Sequence, residues 1–392
     1  MTYMFICFGL IITANLIYMG NMFNSATKLS AGITSNGEAI RAIVTTSSLT
    51  INERKRGSLF GLYAADATAM PVHWMYDLRQ LQRDYGIIKK YEKPKDKFIG
   101  SIMNLSNTGG GGRGSDQGDI IGSVINHGKK QFWGRGGNFH YHLGLQAGEN
   151  TLEAQLTRLL TRSITLLQHF SVDEFLMKYV EFMQTPGSHN DTYAATAHRM
   201  FFANIVRGKP PQDCADNDGH NTDSIDALTL TVPVILQYAD APRDERNIKV
   251  RQVVQAIRKS SVLNAYADSF SDLLIEVLHG EDLRTAVEKS GAKLGGRSQS
   301  VRDMVERARG DPMTACYIDS SYPALLFFAY KYAHSPEEAL LANANAGGEN
   351  VARGSLLGAL MGAAHGIEGF PAWTHELYNK EEIMSEIDAF VS

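Results

Sequence analysis

Two stretches of the chain place a glycine or an alanine at every fourth position. These small residues are Gly57, Gly61, Ala65 and Ala69 in the first stretch and Gly354, Gly358, Gly362 and Gly366 in the second. A four-residue period aligns them along one side of a helix, where they let another helix backbone approach closely. Asp66, Arg353 and His365 lie within the same stretches and argue against membrane-spanning helices. We therefore predict two buried helices that cross inside a dense bundle.

Capping residues indicate where further helices begin. Asn150 followed by Glu153 has the spacing of a capping box, and Ser171 followed by Glu174 repeats it. The segment 335–338 (Ser-Pro-Glu-Glu) supplies an N-cap, a proline at the first helical position and an acidic first turn. Alternating strand patterns are scarce. We predict an all-α fold with one domain over residues 54–390.

The composition is that of an ordinary globular protein. The chain has 392 residues, of which 44% are hydrophobic and 20% are charged, so it can bury a sizeable core. A formal net charge of −4 gives no basic surface for a nucleic acid, and we expect no such partner. Cys7, Cys214 and Cys316 have neither a metal-ligand spacing nor a disulfide framework.

The N-terminal segment differs from the rest of the chain. Residues 1–27 carry no charged side chain, and residues 3–22 are apolar enough for a signal sequence or a membrane anchor. A cleaved signal, an anchor and an upstream extension are three open alternatives. Nothing later in the sequence resembles a second membrane span, so any membrane association is expected through residues 3–22 alone. Residues 28–53 are rich in Ser, Thr, Gly and Asn and are predicted to form a linker.

The tripeptide Gly-Glu-Asn occurs at 148–150 and again at 348–350, each time before a predicted helix. If the two corners meet across a cleft, their oxygen atoms converge on one metal ion or polar ligand. A local explanation also exists, because Asn150 is a good N-cap residue and a glutamate at a helix N-terminus is electrostatically favoured. The repetition favours the shared site.

Three further features near the corners have both a functional and a structural interpretation. His73-Trp74 offers an indole face on which a nucleobase or a sugar can stack, or it forms a packed turn. In His140-Tyr141-His142 the two imidazoles share a face of an extended segment, which suits cleft lining better than zinc binding. Asp66, inside a helix of small residues, is expected to be a buried structural hydrogen-bonding group.

Two long polar loops, at 104–118 and 209–224, are candidate ligand contacts, since long loops in compact domains are often functional. The first contains four consecutive glycines and Arg113, which suits the approach of backbone to a phosphate group. It lacks the lysine of a phosphate-binding P-loop, so a solvated surface loop is the alternative.

The sequence GSLFGLYAADATAMPVHW at 57–74 resembles the opening signature of the ADP-ribosylglycohydrolase family. The sequence NAGGENVARGSLLGALMGAAHGIEGFPAWTHEL at 345–377 resembles its closing signature. The two matches bracket most of the chain. The segments DATAMPVHW and YHLGLQAGENTL are most similar to sequences of the branch that contains the J1-type crystallins and selenoprotein J.

The resemblance implies an all-α orthogonal helical bundle with a binuclear magnesium site in a central cleft. The family's T-D-D-T and D-T-D-T segments fall on residues 148–151 and 349–352. The departures are substantial: Glu149 and Asn150 replace the aspartate pair, and Val351 and Ala352 replace the last aspartate and threonine. Since magnesium usually sits on one or two carboxylates plus waters, one ion is expected rather than two, and a metal-free site is the open alternative.

The resemblance also implies roles for individual residues. The expected metal ligands are Glu149, Glu349 and Asn150, and the two glutamates are the catalytic candidates because they would orient the attacking water. Together with the chemistry of the residues themselves, this gives the expected substrate-binding residues Asn150, Asn350, His73, Trp74, His142, Asn221 and Arg353. His73 occupies the position where the family often has a glutamate after the proline turn.

The implied function is hydrolysis of a glycosidic bond in an ADP-ribose-like small molecule or an ADP-ribosylated substrate. The main alternative is a non-catalytic relative, either structural like the crystallins or ligand-binding. A third interpretation is a membrane-tethered sensor whose cleft binds a nucleotide-like metabolite. The hypotheses differ in what they predict: the hydrolase turns its substrate over, a ligand-binding protein binds without forming product, and a structural protein does neither.

Overall fold

The computed structural model describes residues 49–101, 120–133, 137–294 and 300–392. Residues 48–392 form one compact unit. The α-helices are α1 Ile51–Ala69, α2 Leu78–Tyr85, α3 Leu152–Leu167, α4 Val172–Gln184, α5 Thr196–Val206, α6 Thr231–Gln237, α7 Arg243–Ile257, α8 Val262–Leu278, α9 Leu283–Leu294, α10 Val301–Arg307, α11 Ile318–Lys331, α12 Pro336–Asn345, α13 Val351–His365 and α14 Lys380–Val391. Within these ranges β-pairing is limited to isolated bridges, so the predicted all-α helical bundle is confirmed.

The two rows of small residues meet at the centre of the bundle, where α1 packs antiparallel against α13. Gly57 lies against the backbone of Gly362, and Gly61 lies against the backbone of Gly358. A Cβ atom added at any of these four positions would collide with a carbonyl oxygen of the facing helix. Helix α1 is buried from Gly57 to its end, and α13 is buried from Val351 to Ala363. The spacing of glycines therefore sets the distance between the two central helices.

Other helices pack around this pair. Among the contacts of the described residues, α8, α11 and α12 lie against α13, and α14 lies against both α1 and α3. The helix starts predicted at Ser171 and Ser335 are confirmed, because each serine hydroxyl accepts the backbone N–H three residues later. The buried residues of α1 and α13 belong to one continuous hydrophobic core.

The first helix begins earlier than its small residues suggested. Thr50 and Glu53 form a capping box: the Glu53 N–H donates to Thr50 Oγ1 at 3.2 Å, and the Thr50 N–H donates to Glu53 Oε2 at 2.7 Å. Helix α1 therefore begins at Ile51, inside the segment 28–53 that was predicted as a linker. The two hydrogen bonds of this capping box satisfy backbone N–H groups that have no partner within the helix.

No helix of the described residues is long and apolar enough to cross a membrane. The apolar segment 3–22 and the glycine-rich loop 104–118 with Arg113 both lie outside the described residues. The expectations for an anchor, for a signal and for a phosphate contact at that loop stay predictions.

The close helix contact predicts how alanine is tolerated. Gly358→Ala places a methyl group against the Gly61 backbone, and overpacking of this kind typically costs about 1–3 kcal/mol. We expect a loss of that size in the free energy of unfolding, measured by urea denaturation. The control is Gly310→Ala, because Gly310 is exposed and has no neighbour within 4 Å of the added carbon. Equal stability of the two variants would contradict this account of the interface.

Candidate active site

The antiparallel pair brings the end of α1 to the start of α13. At that end the turn 72–75 pairs with the second Gly-Glu-Asn: the Trp74 N–H donates to Gly348 O at 2.9 Å, and the Gly348 N–H donates to Met75 O at 2.8 Å. Gly348 has φ +66° and is pressed against the backbone of Thr314, which explains why a glycine opens this tripeptide. The pairing fixes His73 and Trp74 beside Glu349.

Glu349 is buried and takes hydrogen bonds on both carboxylate oxygens. Trp74 Nε1 donates to Oε2 at 2.6 Å, His73 Nε2 lies 3.2 Å from the same oxygen, and the Ala352 N–H donates to Oε1 at 3.1 Å. Trp74 has a φ of 57°, which is uncommon for a bulky residue and costs about 1–3 kcal/mol of strain. The fold therefore holds the indole N–H on this carboxylate against a backbone preference.

A hydrogen-bonded chain of four buried side chains crosses the site. His73 Nδ1 lies 2.7 Å from His142 Nε2, and His142 Nδ1 lies 2.8 Å from Asp191 Oδ1. Together with the His73–Glu349 contact, the order is Glu349, His73, His142, Asp191. The chain connects the second tripeptide to the start of α3, because Asp191 Oδ2 accepts the N–H of Leu152 at 2.8 Å.

Each of the four ring nitrogens in this chain has a hydrogen-bond partner, and the two imidazoles connect one buried carboxylate to the other. Burial alone would raise the pKa of Asp191, but His142 and the Leu152 N–H hold that pKa below its ordinary value.

The first Gly-Glu-Asn is fixed by Asp66. Asp66 Oδ1 accepts the Asn150 amide at 2.9 Å and the Thr151 N–H at 2.8 Å, and Oδ2 accepts the Thr151 hydroxyl at 2.7 Å. The capping-box prediction for Asn150 is wrong: α3 begins at Leu152, and carboxylates distant in sequence satisfy its first donors. Burial raises the pKa of Asp66 to about 6, although the hydrogen bonds from Thr151 and Asn150 oppose this shift.

The carboxylate of Glu149 belongs to a different group of residues. Its Oε2 accepts the Gln146 N–H at 2.8 Å and its Oε1 accepts the Asn190 amide at 2.7 Å. Burial raises the pKa of Glu149 and these two donors oppose the shift. The structure thus brings the two tripeptides into one hydrogen-bonded region, but it gives Glu149 and Glu349 separate partners.

A cleft and a smaller chamber adjoin each other at this end of the bundle. The cleft has a volume of about 220 Å³ and the chamber one of about 30 Å³. They share Trp74, Tyr193, Ala195 and Asp226 as lining residues. The cleft has the aromatic walls, whereas the chamber is lined by four carboxylates, namely Glu153, Asp191, Asp226 and Glu349.

The predicted site residues divide into two groups by position. His73, Trp74, His142 and Glu349 line the chamber, and Asn221 lines the cleft. Glu149, Asn150, Asn350 and Arg353 line neither space. The guanidinium of Arg353 is fully buried and donates to Asn343, Thr314 and Gly347. Burial lowers the pKa of Arg353 to about 10, with Glu349 opposing the shift.

His140 and His142, paired in the sequence prediction, have separate roles. The Nε2–H of His140 donates to Pro71 O at 2.9 Å, and its Nδ1 accepts the His142 N–H at 3.0 Å. Burial lowers the pKa of His140 to about 3, so this imidazole is neutral. His140 therefore supports the loop, while His142 alone enters the buried chain.

The oxygens of the two tripeptides do not fit a magnesium ion as they are arranged. Each oxygen of Glu149 and Glu349 already accepts an N–H of the protein, and an N–H donor competes directly with a cation. The amide oxygens of Asn150 and Asn350 are buried and have no partner in the described part of the chain. Two neutral oxygens without a free carboxylate fall short of what magnesium usually requires. Among the same residues no cluster of three His, Cys, Asp or Glu side chains has metal-site geometry, and the one-ion expectation stays a prediction.

Several residues of the site had little or no signal in the sequence. No local pattern marks Asp191 as a site residue, and the spacing from Asn150 predicts only a capping role for Glu153. Asp226 and Arg258 form an ion pair at 2.5 Å on the cleft wall, and they lie 32 positions apart. Local patterns cannot find such pairs, because only the folded chain brings their members together.

The fold and the carboxylate-lined chamber define an all-helical protein with a cleft at one end of its central helix pair. Residues 47–392 match the family model for ADP-ribosylglycohydrolase, and the chain belongs to that family of hydrolases. A solved structure described as an ADP-ribosylglycohydrolase-related protein complex is similar, with a TM-score of 0.56 and 16% identity over 87% of this chain and 98% of that chain. At that identity the likeness shows the fold. No curated protein matches this chain significantly.

The raised pKa of Asp66 predicts a pH-dependent stability. A carboxyl group whose pKa is about 6 in the folded chain and about 4 in the unfolded chain stabilises the fold below pH 4, and this contribution is lost as the pH rises to 6. Asp66→Asn keeps an acceptor for Asn150 and Thr151 but cannot ionise. We expect its free energy of unfolding, relative to the unmodified chain, to increase by up to about 3 kcal/mol between pH 4 and pH 6.5. Parallel urea-denaturation profiles over this range would refute it.

The occupied carboxylates predict a weak response to magnesium. We expect the thermal midpoint of the protein to be the same in millimolar MgCl₂ and in EDTA, because every oxygen of Glu149 and Glu349 already has a donor. The matched variant is Glu349→Gln, tested in the same two buffers. A magnesium-dependent rise that is lost in the variant would show that the carboxylate exchanges its donors for an ion.

Proposed function

We propose that this chain hydrolyses the glycosidic bond of an ADP-ribose-like small molecule or an ADP-ribosylated substrate. One observation carries the proposal: an aromatic-walled cleft adjoins a small chamber that is lined by carboxylates. The first space suits a ring and a sugar, and the second suits the attacking water. The family membership of the chain supports the same class of reaction.

Aromatic side chains form one wall of the cleft. Trp74, Tyr141 and Tyr193 pack edge-to-face against one another, with ring centroids 4.7–5.4 Å apart, which makes the wall rigid. Tyr76 lies at the mouth and is 49% exposed, so its ring is available for stacking. Pockets for drug-sized ligands usually measure about 300–1,000 Å³, so the cleft suits a nucleoside-sized part of the substrate.

The opposite wall is polar and firmly held. Asp218 accepts the backbone N–H groups of His220 and Asn221 and also the Asn221 amide, which orients the loop over the cleft. Asp226 and Arg258 lie beside it as a buried ion pair. Side chains fixed in this way suit hydrogen bonding to ribose hydroxyl groups, because they lose little conformational entropy when the ligand binds.

The chamber suits the chemical step. Its volume of about 30 Å³ has room for one or two water molecules. Hydrolysis of a glycoside develops positive charge at the anomeric carbon, and carboxylates nearby stabilise that charge. A ring bound in the cleft would present its anomeric carbon at the shared residues Trp74, Tyr193 and Asp226, beside such a water.

A second candidate function is ligand binding without catalysis. It is favoured by the fully hydrogen-bonded state of Glu349 and by the apolar residues Val351 and Ala352, which line the chamber where the family has an aspartate and a threonine. The two functions share the cleft and differ in the chamber. Product formation separates them.

The aromatic mouth predicts a loss of affinity in a cleft variant. Tyr76→Ala removes a stacking face that is worth about 1–3 kcal/mol, so we expect the Kd for ADP-ribose, measured by calorimetry, to rise about 5-fold to 140-fold. Tyr76→Phe should keep the affinity. The control is Tyr378→Ala, since Tyr378 is similarly exposed and does not line the cleft. An equal effect of both alanine variants would place the ligand elsewhere.

Turnover is tested with ADP-ribose joined through an N-glycosidic bond to arginine and through an O-glycosidic bond to serine. Release of free ADP-ribose, followed by chromatography, supports the hydrolase. Saturable binding without release supports the non-catalytic alternative. Neither binding nor release would overturn the proposed function.

A further inference from the structure

The four carboxylates of the chamber differ in how completely the protein satisfies them. Asp191 accepts the Leu152 N–H on one oxygen and His142 and the Tyr193 N–H on the other. Asp226 accepts the Ser224 hydroxyl on Oδ1 and Arg258 on Oδ2. Glu349, as described above, has donors on both oxygens. These three groups have no oxygen free to take a proton from water.

Glu153 is the exception among the four. Its Oε1 lies 2.9 Å from His198 Nε2, whereas within the described residues no donor reaches Oε2. The side chain is 17% exposed and lines the chamber, which is too small for more than one or two waters. A carboxylate oxygen without a protein partner, in a space of that size, is placed to accept a hydrogen bond from the enclosed water.

The bound oxygen of Glu153 is oriented through a second residue. Tyr179 OH lies 2.7 Å from His198 Nδ1, and burial raises the pKa of Tyr179 well above its ordinary value. A carboxylate only accepts hydrogen bonds, so His198 donates to Glu153 through Nε2, and the Tyr179 hydroxyl holds the other nitrogen of the ring. The order Tyr179, His198, Glu153 is that of a base held by an oriented imidazole.

We propose that Glu153 is the general base that activates the attacking water, with His198 as its positioning residue. This inference rests on the proposed hydrolase function. Glu153 Oε2 accepts a proton from the water as the water oxygen bonds to the anomeric carbon. The glycosidic bond breaks at the same carbon, and its electron pair leaves with the departing group. The proton on Glu153 then passes to that group or to solvent.

The test is Glu153→Gln, which keeps an acceptor for His198 and removes the base. We expect kcat for release of ADP-ribose from the N-linked or O-linked substrate to fall by about 10²–10⁴-fold, with the Kd for ADP-ribose unchanged. The matched control is Glu381→Gln, because Glu381 is also an acidic residue in the first turn of a helix but is exposed and does not line the chamber. Its kcat should equal that of the unmodified protein.

A second variant separates a chemical role from a structural one. Glu153→Ala leaves space beside the water, and added formate or azide should restore part of the lost turnover, which a merely structural role would not allow. Turnover that survives in Glu153→Gln, or an alanine variant that neither anion rescues, would overturn the role of Glu153 and leave the hydrolase standing. Absence of turnover in the unmodified protein would instead remove the proposed function and this inference with it.

Discussion

The contact between α1 and α13 is the constraint on which the site depends. Because glycines face each other at Gly57–Gly362 and Gly61–Gly358, the two backbones touch without side chains between them. The helices run antiparallel, so the last turn of α1 and the first turn of α13 lie at the same end. The residues that follow one helix and precede the other, His73-Trp74 and Glu349, are consequently in hydrogen-bonding contact. A wider separation of the helices would break these contacts without changing any residue of the site.

Buried charge is the second requirement that shapes this end of the bundle. An isolated carboxylate is costly to bury, and each one here has a named compensation. Glu149 and Asp66 take N–H and hydroxyl donors, Asp226 takes an arginine, and Asp191 and Glu349 are linked through two imidazoles. At the positions where the family resemblance implies metal ligands, the carboxylates of Glu149 and Glu349 accept N–H groups. The exception is one oxygen of Glu153, which is why that residue is the most reactive candidate of the chamber.

Parts of the fold and the site could be predicted from local patterns. The caps at Ser171 and Ser335 were found because a hydroxyl and the N–H three residues later belong to the same turn. The helical ridges were found because a period of four is visible in the sequence. The prediction for Asn150 failed for the opposite reason: Thr151 and Leu152 are satisfied by Asp66 and Asp191, which are 85 and 39 positions away. The sequence predicts only a capping role for Glu153, because the residue lies three positions after Asn150 near a helix start.

The sequence by itself determined the helical class, the close central pair and the two glycine corners, because helix periodicity, capping and positive φ are properties of neighbouring residues. It also carried enough of the family's signatures to assign the chain. Only the tertiary structure decided which carboxylates share a space. Glu149 and Glu349 have identical neighbours in the tripeptide, yet one binds Asn190 and Gln146 and the other binds His73 and Trp74. Hydrogen bonds form between groups that the folded chain brings close together, and a local sequence pattern does not predict which distant segments become neighbours.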